Sequence, residues 1–154
     1  CSCGHCIWSP DGNEVVYTAW PNNAEDLGGL RRPGMILCFN RRSALYGQRA
    51  DATATPVRLS HMSSATKPSF SPDGKTLAFL SNRCAVEAGT HDGTQELLTM
   101  SWQGCQAPQN DAKTLVPAVS RPASTTAFPG LYTDGSIKWV TKRSIVVQTL
   151  WRCE

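Results

Sequence analysis

Apolar and polar positions in this chain come in short bursts bounded by turn-forming residues. Glu14 to Trp20 reads Glu-Val-Val-Tyr-Thr-Ala-Trp, and Lys75 to Leu80 and Ser144 to Leu150 have the same β-branched and aromatic character. Runs this short and this rich in β-formers predict strands rather than helices. Met35 to Phe39, Ala44 to Tyr46, Pro56 to Leu59, Glu96 to Trp102 and Thr114 to Val119 are further strand candidates, joined by segments rich in Gly, Pro, Ser, Thr and Asn. The pattern predicts an all-β chain.

Two of these strands follow the same turn phrase. Trp8-Ser-Pro-Asp-Gly12 and Phe70-Ser-Pro-Asp-Gly74 align at an offset of 62, which also places Leu77-Ala78 on Val15-Val16. Pro presets φ near −65° for the first corner, Asp can accept from its own backbone ahead, and Gly accepts positive φ. Each phrase therefore predicts a hairpin. A third copy starts at Trp139, followed at +7 and +8 by Val146-Val147, at +10 by Thr149 and at +12 by Trp151, with its turn reduced to Val-Thr-Lys-Arg. On this alignment Trp8, Phe70 and Trp139 should be buried at equivalent places in successive units, each ring worth roughly 2 to 3 kcal/mol.

About four short strands per interval of roughly 60 to 70 residues fit a propeller blade with one long loop. The expected architecture is a partial β-propeller of about two blades plus the start of a third, with repeat units at about residues 5–60, 66–119 and 136–154. A ring closes with roughly four to eight blades. The chain therefore reads as a segment of something longer, the apolar run Ser144 to Trp151 almost touching its end. The competing architecture is a plain β-sandwich that uses one turn twice.

Composition narrows the function classes. The chain has 154 residues, 40% of them hydrophobic, enough for a core that covers roughly two thirds of the unfolded surface. Fifteen Lys+Arg against twelve Asp+Glu give +3, scattered except at Arg31-Arg32 and Arg41-Arg42, which is not a nucleic-acid face. No apolar run approaches the ~18 residues of a membrane span. Seven Cys, at positions 1, 3, 6, 38, 84, 105 and 153, are odd in number and irregular in spacing, which favours reduced thiols in an intracellular compartment.

No catalytic motif is visible: there is no Gly-x-Ser-x-Gly elbow, no dinucleotide or phosphate-cradling glycine loop, and no His-Glu-x-x-His. The densest polar cluster is Cys1, Cys3, His5 and Cys6. Structural zinc sites join two separated ligand pairs, so this crowding reads as a Cys-rich strand leading into Trp8 rather than a metal site. His61 and His91 have no partner at a recognisable spacing and read as loop residues, while Asp92-Gly93 and Asp134-Gly135 are turn dipeptides. Arg41-Arg42 could hold a carboxylate, although a solvated turn is the blander reading. No catalytic, cofactor-binding or metal residue is assigned within the chain.

Three phrases in series carry a family resemblance: Asn40 to Tyr46 (Asn-Arg-Arg-Ser-Ala-Leu-Tyr) after Met-Ile-Leu-Cys-Phe-Asn, Phe70 to Ser81, and Phe128 to Tyr132 (Phe-Pro-Gly-Leu-Tyr). In this order the chain, from Trp8 to Trp151, resembles the propeller domain of the acylaminoacyl-peptidases, also called acylamino-acid-releasing enzymes or acylpeptide hydrolases, within the prolyl oligopeptidase family. The resemblance implies a serine peptidase that releases N-acylated amino acids from short peptides. It also implies that the catalytic residues lie in a C-terminal α/β-hydrolase domain absent from this chain, and that the propeller restricts entry to short peptides. Implied partners are N-acylated peptides and that hydrolase domain, with a homo-oligomer open, no nucleic acid and no membrane; the implied location is cytoplasmic, an organelle such as the chloroplast being the alternative. Rival readings are a TolB-like propeller scaffold without enzyme activity and the propeller of a dipeptidyl or prolyl peptidase. Ala50 to Thr55, rich in Ala and Thr, and the compressed stretch Tyr132 to Ile137 depart from the family pattern.

Overall fold

The structure is a computed structural model, and it describes residues 2–20, 42–51, 53–62, 64–83, 95–105, 111–118, 131 and 136–147. The strand candidate Met35 to Phe39, the pair partner Arg41, His91, Cys1, Thr149 and Trp151 lie outside these residues, as does Phe128 to Tyr132 apart from Leu131.

Both Ser-Pro-Asp-Gly segments reverse the chain with the same set of bonds. In the first, the Gly12 N–H donates to the Ser9 carbonyl at 2.9 Å and the Ser9 N–H to the Glu14 carbonyl at 2.8 Å. In the second, Gly74 donates to Ser71 and Ser71 to Thr76, both at 2.9 Å. Gly12 and Gly74 sit at φ 72° and 70°, the left-handed region that the turn requires. The serine is the hub of each turn, a role that the reading from Pro, Asp and Gly alone did not give it. Ser9 Oγ donates to Asp11 Oδ1 at 2.6 Å and accepts from the Glu14 N–H at 2.9 Å. Ser71 Oγ donates to Asp73 at 2.7 Å and accepts from the Thr76 N–H at 3.0 Å.

These turns join strands in two four-stranded antiparallel sheets of sequential order. The first contains β1 (Ser2–Trp8), β2 (Glu14–Trp20), β3 (Ala44–Arg49) and β4 (Val57–Arg58). The second contains β5 (Thr66–Phe70), β6 (Thr76–Ser81), β7 (Glu96–Ser101) and β8 (Lys113–Val116). A separate hairpin is formed by β9 (Ile137–Thr141) and β10 (Ser144–Val147). The named elements are all strands, so the chain is all-β and built from antiparallel sheets. Where Ala50 to Thr55 departs from the expected pattern, the described residues Ala50, Asp51, Thr53, Ala54 and Thr55 are exposed and lie outside the strands. There the Asp51 carboxylate accepts from the Thr53 N–H at 3.1 Å and the Thr53 hydroxyl at 2.8 Å.

The sheets pack face to face because alternate side chains of β6 point to opposite faces. Leu77 and Phe79 enter a core with Val16 and Leu45 of the first sheet, Leu59 just after β4, and Leu98 and Met100 of β7. Ala78 and Leu80 join Leu97, Leu131 and Ile137 in a second core, against which Trp139, Ile145 and Val147 of the hairpin pack. Phe79, Leu77 and Leu80 are wholly buried, so the middle sheet is covered on both faces.

Two sequence expectations are corrected here. Trp8 is 60% exposed rather than buried. Phe70 packs against the first core and meets Trp102 edge-on at 4.9 Å, and the Trp139 indole N–H donates to the Ser69 carbonyl at 3.1 Å. Trp8 pairs with Val15 on the face of the first sheet turned away from the first core, so no following sheet reaches it. The register of the β9–β10 hairpin also differs from the one expected by alignment with the first two turn phrases. Trp8 stands opposite Val15 and Phe70 opposite Leu77, both seven residues on, whereas Trp139 stands opposite Ile145, six residues on. The connection between opposed residues is one residue shorter, through the two-residue turn Lys142-Arg143 and a register shift between Ser144 and Ile145, and a one-residue slip exchanges the faces. Ile145 and Val147 therefore pack inward, and Val146, aligned with Val15 by sequence, is 54% exposed.

Candidate functional site

Of the Cys-x-Cys-x-His-Cys cluster, Cys3, His5 and Cys6 fall on β1 and are all exposed. A strand cannot gather successive side chains onto one point. Among the described residues no group of three or more His, Cys, Asp or Glu side chains is placed to hold a metal ion. His61 is exposed in the segment after β4, and Arg42 is exposed just before β3.

A different grouping forms around His5. The pairing of β1 with β2 shifts register between Gly4 and Ile7, and within this bulge His5 takes φ 48°. The pairing of β5 with β6 shifts between Thr66 and Ser69, and there Lys67 takes φ 52°. These are the non-glycine residues with positive φ among those described, and they are separated by the same offset of 62 that relates Trp8 to Phe70. The bulges bring the first strands of the two sheets together: His5 Nδ1 lies 3.1 Å from Thr66 Oγ1. The His5 ring also meets Trp20 at a centroid distance of 6.3 Å. Although His5 is exposed at the surface, partial loss of hydration, and then the positive charge of Lys67, lower its pKa. A histidine that activates a hydroxyl needs a neighbour that stabilises its protonated form, and Lys67 opposes that form. The Thr66–His5 pair is therefore not built as a nucleophile and base.

At the other end of the sheets, the segment after β7 is latched to the first sheet. The Cys105 N–H donates to Glu14 Oε1 at 2.8 Å, and the Cys105 thiol occupies the space above Gly47, where a Cβ would come within 2.3 Å of Sγ. Burial, reinforced by the Glu14 carboxylate, pushes the thiol pKa up to about 12. This thiol is a packing element, since only a thiolate is reactive. The buried Glu96 carboxylate is held by Arg83 through two contacts, Nε to Oε1 at 2.5 Å and Nη2 to Oε2 at 3.1 Å, a charge pair that joins the end of β6 to β7.

Sequence reasoning missed the His5 and Lys67 bulges, because neither carries the glycine that usually marks a left-handed position. The available signal was that the two basic residues share the offset of 62 between the two turn phrases.

Known proteins agree with the resemblance read from the three phrases. A family model described as the N-terminal domain of acylamino-acid-releasing enzyme matches residues 1–154. Acylamino-acid-releasing enzyme 1 of Oryza sativa subsp. japonica is 32% identical, covering 97% of this chain and 22% of that protein. The acylamino-acid-releasing enzyme of Arabidopsis thaliana is 31% identical over 98% of this chain and 21% of its own length. Acylamino-acid-releasing enzyme 2 of Oryza sativa subsp. japonica is 26% identical over 98% of this chain and 23% of its own length. The chain thus spans about a fifth of the curated relatives it matches, and no helix among the described residues is long and apolar enough to cross a membrane. Matched from end to end by that model, the chain belongs to the family of acylamino-acid-releasing enzyme N-terminal domains.

Proposed function

We propose that this chain is a propeller segment of a serine exopeptidase that releases N-acylated amino acids from short peptides. In this reading the sheet β1–β4 and the sheet β5–β8 are two blades, within residues 5–60 and 66–119, and β9–β10 begins a third, within 136–154. Catalysis belongs to an α/β-hydrolase domain elsewhere in the longer protein, and the propeller admits short, unfolded peptides and excludes folded ones. The reaction itself requires an activated serine, a base and an oxyanion hole. This segment contributes walls and selectivity.

The observation that carries the proposal is the directional stacking of the sheets. The second sheet meets the first through Phe70, Leu77 and Phe79, and the hairpin meets the second through Trp139 and Ile145. The same kind of face is used each time, as radial repetition of blades requires. The relatives' names supply the chemistry, and each of them is an acylamino-acid-releasing enzyme.

The test uses the full-length protein. It should hydrolyse acetyl-alanyl nitroanilide in preference to a prolyl nitroanilide, and lose that activity when the serine of a Gly-x-Ser-x-Gly elbow beyond residue 154 is replaced by alanine. It should cleave acetylated tripeptides and leave an acetylated folded protein intact. Preference for the prolyl substrate would place the segment in a prolyl or dipeptidyl peptidase, and a full-length protein without such an elbow would leave a scaffold.

A further inference from the structure

We propose that Cys3 and Cys6 are a modification site, a pair of thiols that hydrogen peroxide joins as a reversible disulfide. The site is independent of the peptidase reading, since it requires nothing of a hydrolase domain.

The pairing register puts both thiols on one face. In an uninterrupted strand, residues three apart point to opposite faces and stand about 10 Å from each other. β1 is interrupted. Gly4 stands opposite Thr18 and Ile7 opposite Val16, so three steps along β1 match two along β2, and the extra residue enters where His5 takes φ 48°. Val16 lies in the first core and Ile7 packs against it, which marks the core face of the sheet. Gly4 shares that face, because Thr18 is two residues from Val16. Cys3 directly precedes Gly4 and Cys6 directly precedes Ile7, so both thiols turn to the other face.

The same register gives their spacing. Cys3 stands opposite Ala19, and His5 with Cys6 fills the span that faces Tyr17, two residues along β2. Two residues of antiparallel strand rise about 6.8 Å, the upper end of the range of roughly 4.4 to 6.8 Å between the Cα atoms of bridged cysteines. A bond made at that limit is of the reducible kind, which suits a reversible modification better than a permanent cross-link. Both thiols are free and exposed, on the edge strand of the first sheet. Cys105, the other free thiol among the described residues, is buried.

The chemistry closes with one oxidant. One thiol, as its thiolate, attacks a peroxide oxygen and breaks the O–O bond; hydroxide leaves, takes up the thiol's proton as water, and a sulfenic acid remains on sulfur. The second thiolate attacks that sulfur, the S–S bond forms, and the departing hydroxide takes the second proton. Two thiols and one hydrogen peroxide thus give one disulfide and two waters. The sulfurs are oxidised and the peroxide oxygens reduced, and a small-molecule thiol reverses the bond by exchange.

The test treats the full-length protein with hydrogen peroxide, alkylates the thiols that remain, and locates the alkyl groups by fragmentation of the peptide that carries both residues. Cys3 and Cys6 should both be alkylated in untreated native protein, escape together after peroxide, and return together after dithiothreitol. In Cys3→Ser and in Cys6→Ser the remaining thiol has no partner. It should stop at the sulfenic acid and be trapped there by dimedone, which should leave the parent pair unlabelled. Urea midpoints equal to the parent's show that both variants fold. A remaining thiol that still enters a disulfide, with Cys1 or any other, overturns the pair, as does a parent that accumulates trapped sulfenic acid as the variants do. A further sheet seated over β1 would shield both thiols, so failure of both to be alkylated in the untreated native protein overturns the site as well.

Discussion

An alanine at position 47 should displace the segment after β7 from the first sheet. Gly47 lies within β3 and has no positive φ, so its backbone accepts a side chain without strain. The obstacle is space. An added Cβ would stand 2.3 Å from Cys105 Sγ, 3.1 Å from Leu59 Cδ1 and 3.2 Å from Cys105 Cβ. The thiol must move, and the Cys105 N–H is tied to the Glu14 carboxylate at 2.8 Å. Overpacking a tight site costs about 1 to 3 kcal/mol, and weakening a bond to a carboxylate adds up to roughly 2. The lower unfolded-state entropy of alanine returns about 0.4 to 1 kcal/mol. A net loss of about 2 kcal/mol is expected.

The cause can be isolated with a second change. Cys105→Ala removes the atom in the closest contact and leaves Cβ to Cβ at a tight but tolerable 3.2 Å, so Gly47→Ala in that background should cost less than about 1 kcal/mol. Urea unfolding of the full-length protein, followed by tryptophan fluorescence, gives the four stabilities of the cycle. Alkylation of Cys105, located by peptide mapping, gives an independent reading. With its pKa near 12, only ~10⁻⁴ to 10⁻⁵ of this thiol is thiolate at pH 7.5. Labelling should be very slow in the parent and faster once alanine at 47 frees the segment. Equal destabilisation by Gly47→Ala with and without the Cys105 thiol would refute the steric argument.

Ser71→Ala should cost about 1 to 2 kcal/mol in the same unfolding assay, because it removes the acceptor of the Thr76 N–H and the donor to Asp73; Ser9→Ala should match it. Asp11 and Asp73 are held below the usual carboxylate range, first by the Ser9 and Ser71 hydroxyls and then by N–H groups ahead in each turn. A depressed folded-state pKa contributes stability above the unfolded value, lost as the pH falls through the folded one, so stability should decline below about pH 4. The double variant Asp11→Asn, Asp73→Asn should flatten that decline, and an unchanged acid limb would count against it. Phe79→Ala, in the wholly buried centre of the first core, should cost about 3 to 5 kcal/mol. Trp8→Ser should be nearly neutral if the face seen exposed here stays exposed in the full-length protein, and should cost more than about 1 kcal/mol if another sheet covers it; fluorescence quenching by acrylamide distinguishes the two.

Strand content was legible because the local pattern and the tertiary fold agree. Glu14–Trp20 appears as β2 with the bounds read from the sequence, and Glu96–Ser101 stops one residue short. β3 extends past Tyr46 to Arg49 because pairing with β2 continues through Val16, Val15 and Glu14, a long-range reason invisible in Gly-Gln-Arg itself. β4 shrinks to Val57-Arg58 because it pairs only with Tyr46 and Gly47. The pairing of β9 with β10 differs by one residue from the pattern that Trp8 and Val15 set, since a match of apolar residue types cannot fix turn length. The His5 and Lys67 grouping was least legible. It depends on two bulges, on strands 62 residues apart, placed side by side by sheets whose packing is set by Leu77, Phe79 and Val16 on the neighbouring strands β6 and β2.

The exposed Trp8 follows from the same geometry that leaves Phe70 and Trp139 half-buried against the two cores. Each sheet presents two unlike faces, one carrying the ring before the turn and the other carrying Val16 or Ala78. Contacts between unlike faces are head-to-tail, and a head-to-tail stack has two free ends unless it closes on itself. Those ends are visible here. At one, Trp8, Val15 and the stacked pair Tyr17 and Tyr46, with ring centroids 6.1 Å apart, form the face for which no preceding sheet is present among the described residues. At the other, Val140 and Val146 are 65% and 54% exposed on the far side of the hairpin. An apolar face at each end of a directional stack is the geometric content of the propeller proposal: further sheets supplied by the remaining four fifths of the relatives' length would have to bring the last face back to the first.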